Sequence, residues 1–97
     1  MTVKTHTFRG KQYRILLDVP RETLGDDRVG DTDAPRFAKR ELRILKGAKD
    51  LLLLDTLIHE SLYACAWDLD EEAVGETATD IARLLWRLGY RRKGEFA

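Results

Sequence analysis

The feature that most constrains the fold is an apolar run between Leu51 and Trp67. Leucine and isoleucine recur so densely in this run that, wound into a helix, they would cover nearly all of its sides. Such a helix is stable only when other elements of the fold bury it. The most apolar part, 51–58, is too short to span a bilayer, and Asp55 interrupts it. The run therefore predicts the central helix of a small globular domain.

The bulk composition excludes several classes of protein. A chain of 97 residues is the size of one domain with one modest core. Its 17 basic and 17 acidic residues cancel, so no overall charge attracts nucleic acid or an anionic membrane. Cys65 is the only cysteine, which excludes an intrachain disulfide and is typical of a reducing compartment. Because no apolar signal region opens the sequence, we expect a cytoplasmic protein without a membrane partner.

The N-terminal half is predicted to contain three strands. Two segments, 5–8 and 11–19, flank the turn pair Arg9-Gly10, and the second segment alternates between apolar and polar residues. This pattern predicts a hairpin in which each strand packs through one face. A further strand is predicted at about 38–45, where the apolar residues again alternate with charged ones.

Between the hairpin and that strand lies an acidic segment, 20–35. It is rich in Gly and Asp, which favour turns over regular structure. Its aspartates do not have the spacing of an EF-hand loop, which needs a central Gly and a closing Glu at fixed positions. We therefore predict a solvated loop, which can lie over a cleft, rather than a calcium site.

The C-terminal half is predicted to contain two packed helices. Asp50 is the expected N-cap of the first helix, 51–67. Asp70 is the expected N-cap of the second, 71–88, and Gly89 follows where a C-terminal cap belongs. The apolar stripe of the second helix consists of Val74, Ala78, Ile81, Leu85 and Leu88. Gly75 interrupts this helix and indicates close approach to the first helix.

These segments together predict an α+β fold, in which a small three-stranded antiparallel sheet is followed by two packed helices. We expect one domain over 1–97. Its β-rich part is 1–49 and includes the acidic loop, and its two-helix part is 50–89. The last residues, 90–97, are basic and are predicted to form a loose tail.

A near match to a metal-binding motif lies inside the central helix, in the sequence His59-Glu60-Ser61-Leu62-Tyr63. The motif H-E-x-x-H places two imidazoles one helical turn apart to hold zinc, and its Glu serves as general base toward metal-bound water. Here Tyr63 occupies the position of the second His. Residues four apart share a helical face, so His59 and Tyr63 project together, while Glu60 points about 100° away around the axis.

A third ligand for such a site would come from the second helix. Glu71 is the best candidate, because it lies on the same stripe as Val74 and Ala78 and is expected to face the first helix. A carboxylate directed at an interface between helices needs a partner. Glu72 and Glu76 are the weaker alternatives.

The span from about Arg43 to Tyr90 resembles small zincin-like metallopeptidases of bacteria and phages. The matching segments are 54–62, 70–74 and 82–90. In such families a strand precedes the motif helix, and a Glu on the following helix commonly completes the zinc site. The resemblance implies that His59 and Glu71 are zinc ligands and that Glu60 is the catalytic base.

Tyr63 is the departure from the family pattern, because a neutral phenol with a pKa near 10 is a poor zinc ligand. We therefore predict a zincin-like relative with an incomplete metal site and weak or absent zinc. Its expected role is binding or structural, with a protein or peptide partner. The alternative is an active zinc-dependent peptidase, in which Tyr63 would be catalytic because its hydroxyl donates a hydrogen bond to the developing oxyanion.

A second alternative is a nucleic-acid-binding accessory protein. Arg83, Arg87 and Arg91 share one helical face and could contact phosphates. Glu76 and Asp80 have the spacing to pair with two of these arginines on the same helix. With no net positive charge, we expect that nucleic acid is not a partner. The small size of the chain leaves a homodimer open.

Overall fold

The computed structural model describes residues 3–93 of the chain. Their elements, in order, are β1 (Thr5–Phe8), β2 (Lys11–Val19), α1 (Arg21–Leu24), β3 (Gly30–Thr32), β4 (Glu41–Leu45), α2 (Asp50–Cys65) and α3 (Glu71–Arg87). The α+β class is confirmed. The sheet has four strands in the order β1-β2-β4-β3, with the helices α2 and α3 following it in the chain.

The predicted three-stranded antiparallel sheet is wrong in two respects. The sheet has a fourth strand, β3, and its two central strands, β2 and β4, run parallel. Parallel neighbours need a crossover of a dozen or more residues, and the long segment between β2 and β4 supplies it. The predicted loop 20–35 is part of this crossover and contains both α1 and β3. Neither element has an apolar alternation that the sequence would reveal.

The N-terminal hairpin forms as predicted. β1 and β2 are antiparallel, and His6 lies opposite Tyr13. Arg9 and Gly10 both have positive φ, 45° and 81°. Positive φ at both central residues is the geometry of the two-residue hairpin turns whose twist matches the flanking strands. The turn therefore fixes the register that directs Tyr13, which is completely buried, into the core.

The core lies between one face of the sheet and α2. Tyr13 and the two buried apolar residues of β4, Leu42 and Ile44, pack with Leu53 and Ala64 of α2. Alternation along β4 sends the charged residues of that strand to the opposite face. The helix α2 is the central helix, as predicted, because it contacts both the sheet and α3. Not every side of it is covered, however, because Leu52 is 53% exposed.

The ends of α2 differ slightly from the prediction. The helix begins at Asp50, so Lys49, and not Asp50, occupies the N-cap position, and no side chain makes a capping hydrogen bond there. The helix ends at Cys65 rather than at Trp67. Because an apolar residue such as Trp67 can follow a helix as readily as belong to it, composition alone does not locate this end.

The helix α3 begins as predicted, because the Asp70 carboxylate accepts a hydrogen bond from the backbone N–H of Ala73. Of the predicted stripe, Val74 and Ala78 are completely buried, but Ile81 and Leu88 are exposed. Ala82, which was not in the predicted stripe, is buried in their place. In the second half of α3, the buried face therefore includes Ala82 rather than Ile81 and Leu88.

The chain turns back on itself after α3. Gly89 has the positive φ, 94°, expected of a residue that ends a helix. The N–H of Tyr90 donates to the carbonyl of Leu85, and the Arg91 guanidinium stacks over the Trp86 ring. The start of the predicted tail therefore contacts α3, and residues 94–97 lie outside the described part of the chain. Over residues 3–93, no helix combines the length and apolarity needed to cross a membrane.

Candidate functional site

A cleft of about 600 Å³ lies between β3, α2 and the first half of α3. All four site residues predicted from the sequence, His59, Glu60, Tyr63 and Glu71, line it. The first three come from one stretch of α2, and Glu71 comes from the first turn of α3. The structure therefore brings the predicted residues together, and it adds β3 as a wall that the sequence did not predict.

The close packing of β3 against α2 depends on Gly30. A Cβ atom at this position would lie 2.9 Å from the Thr56 Cγ2 atom and 3.0 Å from the Arg43 carbonyl oxygen. Both distances are shorter than ordinary van der Waals contacts of a Cβ atom. Glycine is therefore the residue that allows the strand to approach the helix and form one wall of the cleft.

Glu60 is the most buried charged residue of the described chain, with 6% of its surface exposed. The Thr32 hydroxyl on β3 donates a hydrogen bond to its carboxylate at 2.7 Å. Burial raises the pKa of Glu60, and the hydrogen bond from Thr32 and the nearby His59 oppose that rise. The carboxylate therefore joins α2 to β3, at the back of the cleft.

Tyr63 and Glu71 form a second polar contact, which joins α2 to α3. The pKa of the Tyr63 hydroxyl is raised by burial and by the negative charge of Glu71, to which it is hydrogen-bonded. The phenol therefore stays protonated at neutral pH, and it donates to the Glu71 carboxylate. The Tyr63 ring also contacts the His59 ring edge to face, with 5.0 Å between centroids.

The donor set does not fit a zinc site with three protein ligands. A protonated phenol is a poor zinc ligand, so only two of the three expected ligand positions, His59 and Glu71, carry a suitable side chain. Within residues 3–93, no three His, Cys, Asp or Glu side chains are grouped so that they could hold an ion. Cys65 does not line the cleft.

The strand β3 presents its outer edge at the cleft. On its inner side, the Leu45 N–H donates to the Val29 carbonyl, and the Asp33 N–H donates to the Glu41 carbonyl. Hydrogen-bonding groups alternate sides along an antiparallel strand. The backbone N–H and C=O groups of Gly30 and Thr32 therefore point away from β4, toward the side where another strand could pair.

A cluster of charged residues fixes β3 to β4 on the face of the sheet opposite α2. The Arg43 guanidinium contacts Asp31 at 2.6 Å, Asp33 at 2.8 Å and Glu41 at 3.0 Å. Arg43 lowers the pKa of Asp33, chiefly through the hydrogen bond between them. The cluster holds a strand of only three residues in place, and so it holds one wall of the cleft.

Apolar side chains lie at the mouth of the cleft. Leu52 on α2 is 53% exposed, and Trp67, just beyond α2, is 43% exposed. Both line the cleft, and the Trp67 ring contacts Tyr63 edge to face, with 6.0 Å between centroids. The cleft therefore combines polar groups in its interior with apolar side chains at its rim.

Sequence reasoning missed the residues that depend on β3. Thr32 and Gly30 have no motif around them, and their roles follow from the register that places β3 beside α2. The hydrogen bond from Thr79 of α3 to Asp55 of α2, at 3.1 Å, was also missed. Asp55 within an apolar run was the available signal, because a carboxylate there requires a polar partner.

Three arginines make internal contacts, and one of them, Arg91, belongs to the helical face that suggested nucleic-acid binding. Arg43 is held by the three carboxylates of the sheet. The Arg40 side chain donates to backbone carbonyls, among them that of Phe37 at 2.6 Å. Arg91 stacks on Trp86 and donates to its carbonyl. These contacts reduce the number of cations that are available to contact phosphates.

Comparisons of the chain with models of protein families, with curated proteins and with solved structures gave no match. The resemblance to zincin-like metallopeptidases therefore rests on the residues of the motif and on the elements around it. The motif helix α2 follows the strand β4, and α3 contributes Glu71 to the same cleft.

Proposed function

We propose that this protein is a zincin-like metallopeptidase relative that uses its cleft to bind an extended polypeptide segment and does not cleave it. One observation carries this proposal: the motif residues are hydrogen-bonded to one another and to residues of other elements of the fold. Thr32 holds the Glu60 carboxylate at 2.7 Å, and Tyr63 is hydrogen-bonded to Glu71. Side chains that would position a metal and activate water instead connect the walls of the cleft.

An extended segment fits the cleft because β3 is an edge strand. Its outward N–H and C=O groups, on Gly30 and Thr32, are the groups with which an added strand pairs. Backbone pairing of this kind supplies affinity, while pockets for alternate side chains supply specificity. Leu52 and Trp67 lie at the rim, where apolar side chains of the segment would be covered.

The charges around the cleft favour a segment that carries a basic side chain. Carboxylates line the cleft on both helices, with Asp55 and Glu60 on α2 and Glu71 on α3. Arg28 is the only lysine or arginine among the lining residues. A lysine or arginine of the bound segment would therefore find an acidic environment at the cleft.

The first experiment measures zinc in the purified protein by elemental mass spectrometry, with Tyr63→His as the parallel sample. Zinc in Tyr63→His and not in the natural protein would support a scaffold that lacks one ligand. Near one zinc per chain in the natural protein would contradict the proposal, because Tyr63 would then not prevent metal binding. Zinc in neither sample would remove the support for a metallopeptidase relative and leave the binding cleft as the remaining claim.

The second experiment tests the cleft directly by tryptophan fluorescence. The chain has two tryptophans, so a Trp86→Phe protein reports only on Trp67, at the rim of the cleft. Titration with short extended peptides should change this signal, more strongly for lysine-containing peptides than for glutamate-containing ones. Leu52→Glu should weaken binding, whereas Leu69→Glu, at an equally exposed position outside the cleft, should not. Equal losses in both variants would contradict a site in the cleft.

An active zinc-dependent peptidase is the second candidate. It is favoured by one observation, which is that His59, Glu60, Tyr63 and Glu71 line the same cleft. In that case Glu60 would accept a proton from water, and the Tyr63 hydroxyl would donate to the oxyanion. Hydrolysis of a peptide by the natural protein, abolished in Glu60→Gln, would favour this candidate over the binding protein.

A further inference from the structure

One face of α3 is apolar and uncovered. Ile81, Leu84 and Leu88 are 40%, 55% and 66% exposed, although they belong to a helix whose other side is completely buried. With Thr77 they follow one another at intervals of four, three and four residues. This is the spacing with which one helix presents a continuous apolar line to another helix. We refer to these four residues as the α3 stripe.

We propose that the α3 stripe pairs with the stripe of a second copy of this chain, with the two helices antiparallel and a two-fold axis between Ile81 and Leu84. A two-fold interface brings the same patch of both copies together. In this arrangement Leu84 of each copy packs close to Ile81 of the other, and Leu88 lies close to Thr77. Each exposed leucine is then covered by the partner's stripe.

In this antiparallel orientation, the charged residues beside the α3 stripe of one copy can pair with those of the other copy. Acidic residues, Glu76 and Asp80, lie in the N-terminal half, and basic residues, Arg83 and Arg87, lie in the C-terminal half. This axis places Glu76 close to Arg87 of the other copy, and Asp80 close to Arg83. In a parallel pair these flanks would lie on opposite sides of the interface, where the charged residues could not pair.

These four side chains are available for such pairing. Within residues 3–93, none of the four takes part in the ion pairs that Arg14 and Arg43 make. Glu76 and Arg87 stand eleven residues apart, about 16 Å along the helix axis, too far to pair within one helix. A contact between them must therefore come from two copies of the chain.

The proposed dimer is small and leaves the cleft open. A helix of 17 residues is about 25 Å long, so the interface lies at the lower end of the range for specific association. We expect a concentration-dependent dimer. The cleft is lined by Gly75 and Thr79, which lie on a different side of α3 from the stripe. Both clefts of a dimer would remain accessible.

Exchange of charges between two variants tests this arrangement. Arg87→Glu and Glu76→Arg each place like charges opposite one another in a homodimer, so each purified variant should be monomeric by sedimentation velocity. Mixed together, they restore opposite charges at both contacts, and the mixture should form a dimer as the natural chain does. A Glu76→Arg/Arg87→Glu double variant should likewise dimerise on its own.

Further variants separate the apolar stripe from exposed apolar residues elsewhere. Leu84→Asp should abolish the dimer, and Leu69→Asp, which is similarly exposed but outside α3, should leave it unchanged. Circular dichroism shows whether each variant is folded. A natural chain that is monomeric at every concentration would overturn the proposal. Dimers of the single charge variants, or no dimer in their mixture, would overturn the antiparallel arrangement.

Discussion

At the scale of single residues, the cleft contains a carboxylate whose environment disfavours its charge. Glu60 is almost completely buried, and one hydroxyl, from Thr32, donates to it. Because burial raises the pKa of Glu60, the folded protein binds a proton there more tightly than the unfolded chain does. The contribution of Glu60 to stability is therefore greatest in acid and falls as the pH rises through its folded-state pKa.

We predict that Glu60→Gln stabilises the protein at neutral pH by about 1 kcal/mol, because it removes the cost of a buried charge. The amide oxygen of Gln can still accept the Thr32 hydrogen bond. Below about pH 4, where the glutamate is protonated even in the unfolded chain, the two proteins should be equally stable. Urea unfolding between pH 4 and 8 measures this difference. A loss of stability in Glu60→Gln at neutral pH would contradict it.

A second prediction concerns Arg43, whose side chain holds three carboxylates. Arg43→Met should destabilise the fold by roughly 3 kcal/mol, since it leaves Asp31, Asp33 and Glu41 close together without a cation. Arg43→Lys keeps the charge but cannot reach three carboxylates with one ammonium group, so its loss should be about half as large. Urea unfolding at pH 7 gives both values, and equal losses would contradict the role of the guanidinium geometry.

The free energy of unfolding measured at acid pH provides a control for this prediction. Because Arg43 lowers the pKa of Asp33, the stabilising contact is present at neutral pH and is lost as the pH falls through that lowered pKa. Arg43→Met should therefore differ least from the natural protein in strong acid. A difference that did not depend on pH would show that packing, and not charge, determines the effect.

The four site residues could be predicted from sequence because their proximity is largely local. His59, Glu60 and Tyr63 lie within five positions of one helix, so helical geometry alone brings them near each other. Predicting the position of Glu71 required only the assumption that α3 folds back on α2. Thr32 could not be predicted in the same way, because its contact with Glu60 depends on strand pairing between residues far apart in the chain.

At the scale of elements, β3 is the part of the fold that determines the shape of the cleft. It has only three residues, and it is fixed by pairing to β4, by the charged cluster and by contact with α2 at Gly30. A short edge strand of this kind has little intrinsic stability of its own. Its position therefore depends on the contacts that it makes with its neighbours.

We predict that Gly30→Ala destabilises the protein by about 1–3 kcal/mol, because the new methyl group would lie too close to Thr56 and to the Arg43 carbonyl. The strand and helix must separate to accommodate it, so amide signals of β3 and α2 should shift in NMR spectra. Gly47→Ala is unsuitable as a control because its φ is positive, 89°. Thr7→Ala, on the exposed strand β1, provides a better one, and a similar loss there would contradict the prediction.

The elements that the sequence did predict are those with a strong repeating pattern. The hairpin has an alternating strand and a turn pair, and α3 has an N-cap at Asp70 and a terminating Gly89. No sequence pattern indicates the parallel pairing of β2 with β4, because the residues of each strand would also fit an antiparallel sheet. Strand order is set by how the crossover packs, which residue periodicity does not encode.

At the scale of the whole molecule, the fold is built in three layers: the sheet, then α2, then α3. The helix α2 packs against the sheet, whereas α3 packs chiefly against α2. The outermost layer is therefore attached through one interface, which includes the hydrogen bonds from Thr79 to Asp55 and between Tyr63 and Glu71. Its opposite face carries the α3 stripe, which the proposed second copy would cover.

This arrangement predicts that α3 opens before the rest of the molecule does. An element held through one interface can unfold locally at a lower free energy than the central elements, which open only in global unfolding. In native-state hydrogen exchange, amides of α3 should therefore exchange faster than those of α2 and β4 in dilute protein. Raising the protein concentration should slow exchange in α3, because dimerisation stabilises the helix that it covers.

The variant Leu84→Asp separates the two contributions to this exchange. It removes the proposed dimer contact, so exchange in α3 should no longer depend on protein concentration, while the order of the layers should stay the same. If α3 exchanged as slowly as α2 in dilute natural protein, the three layers would unfold as one unit. If concentration slowed exchange equally in every element, association would involve the whole molecule rather than the stripe on α3.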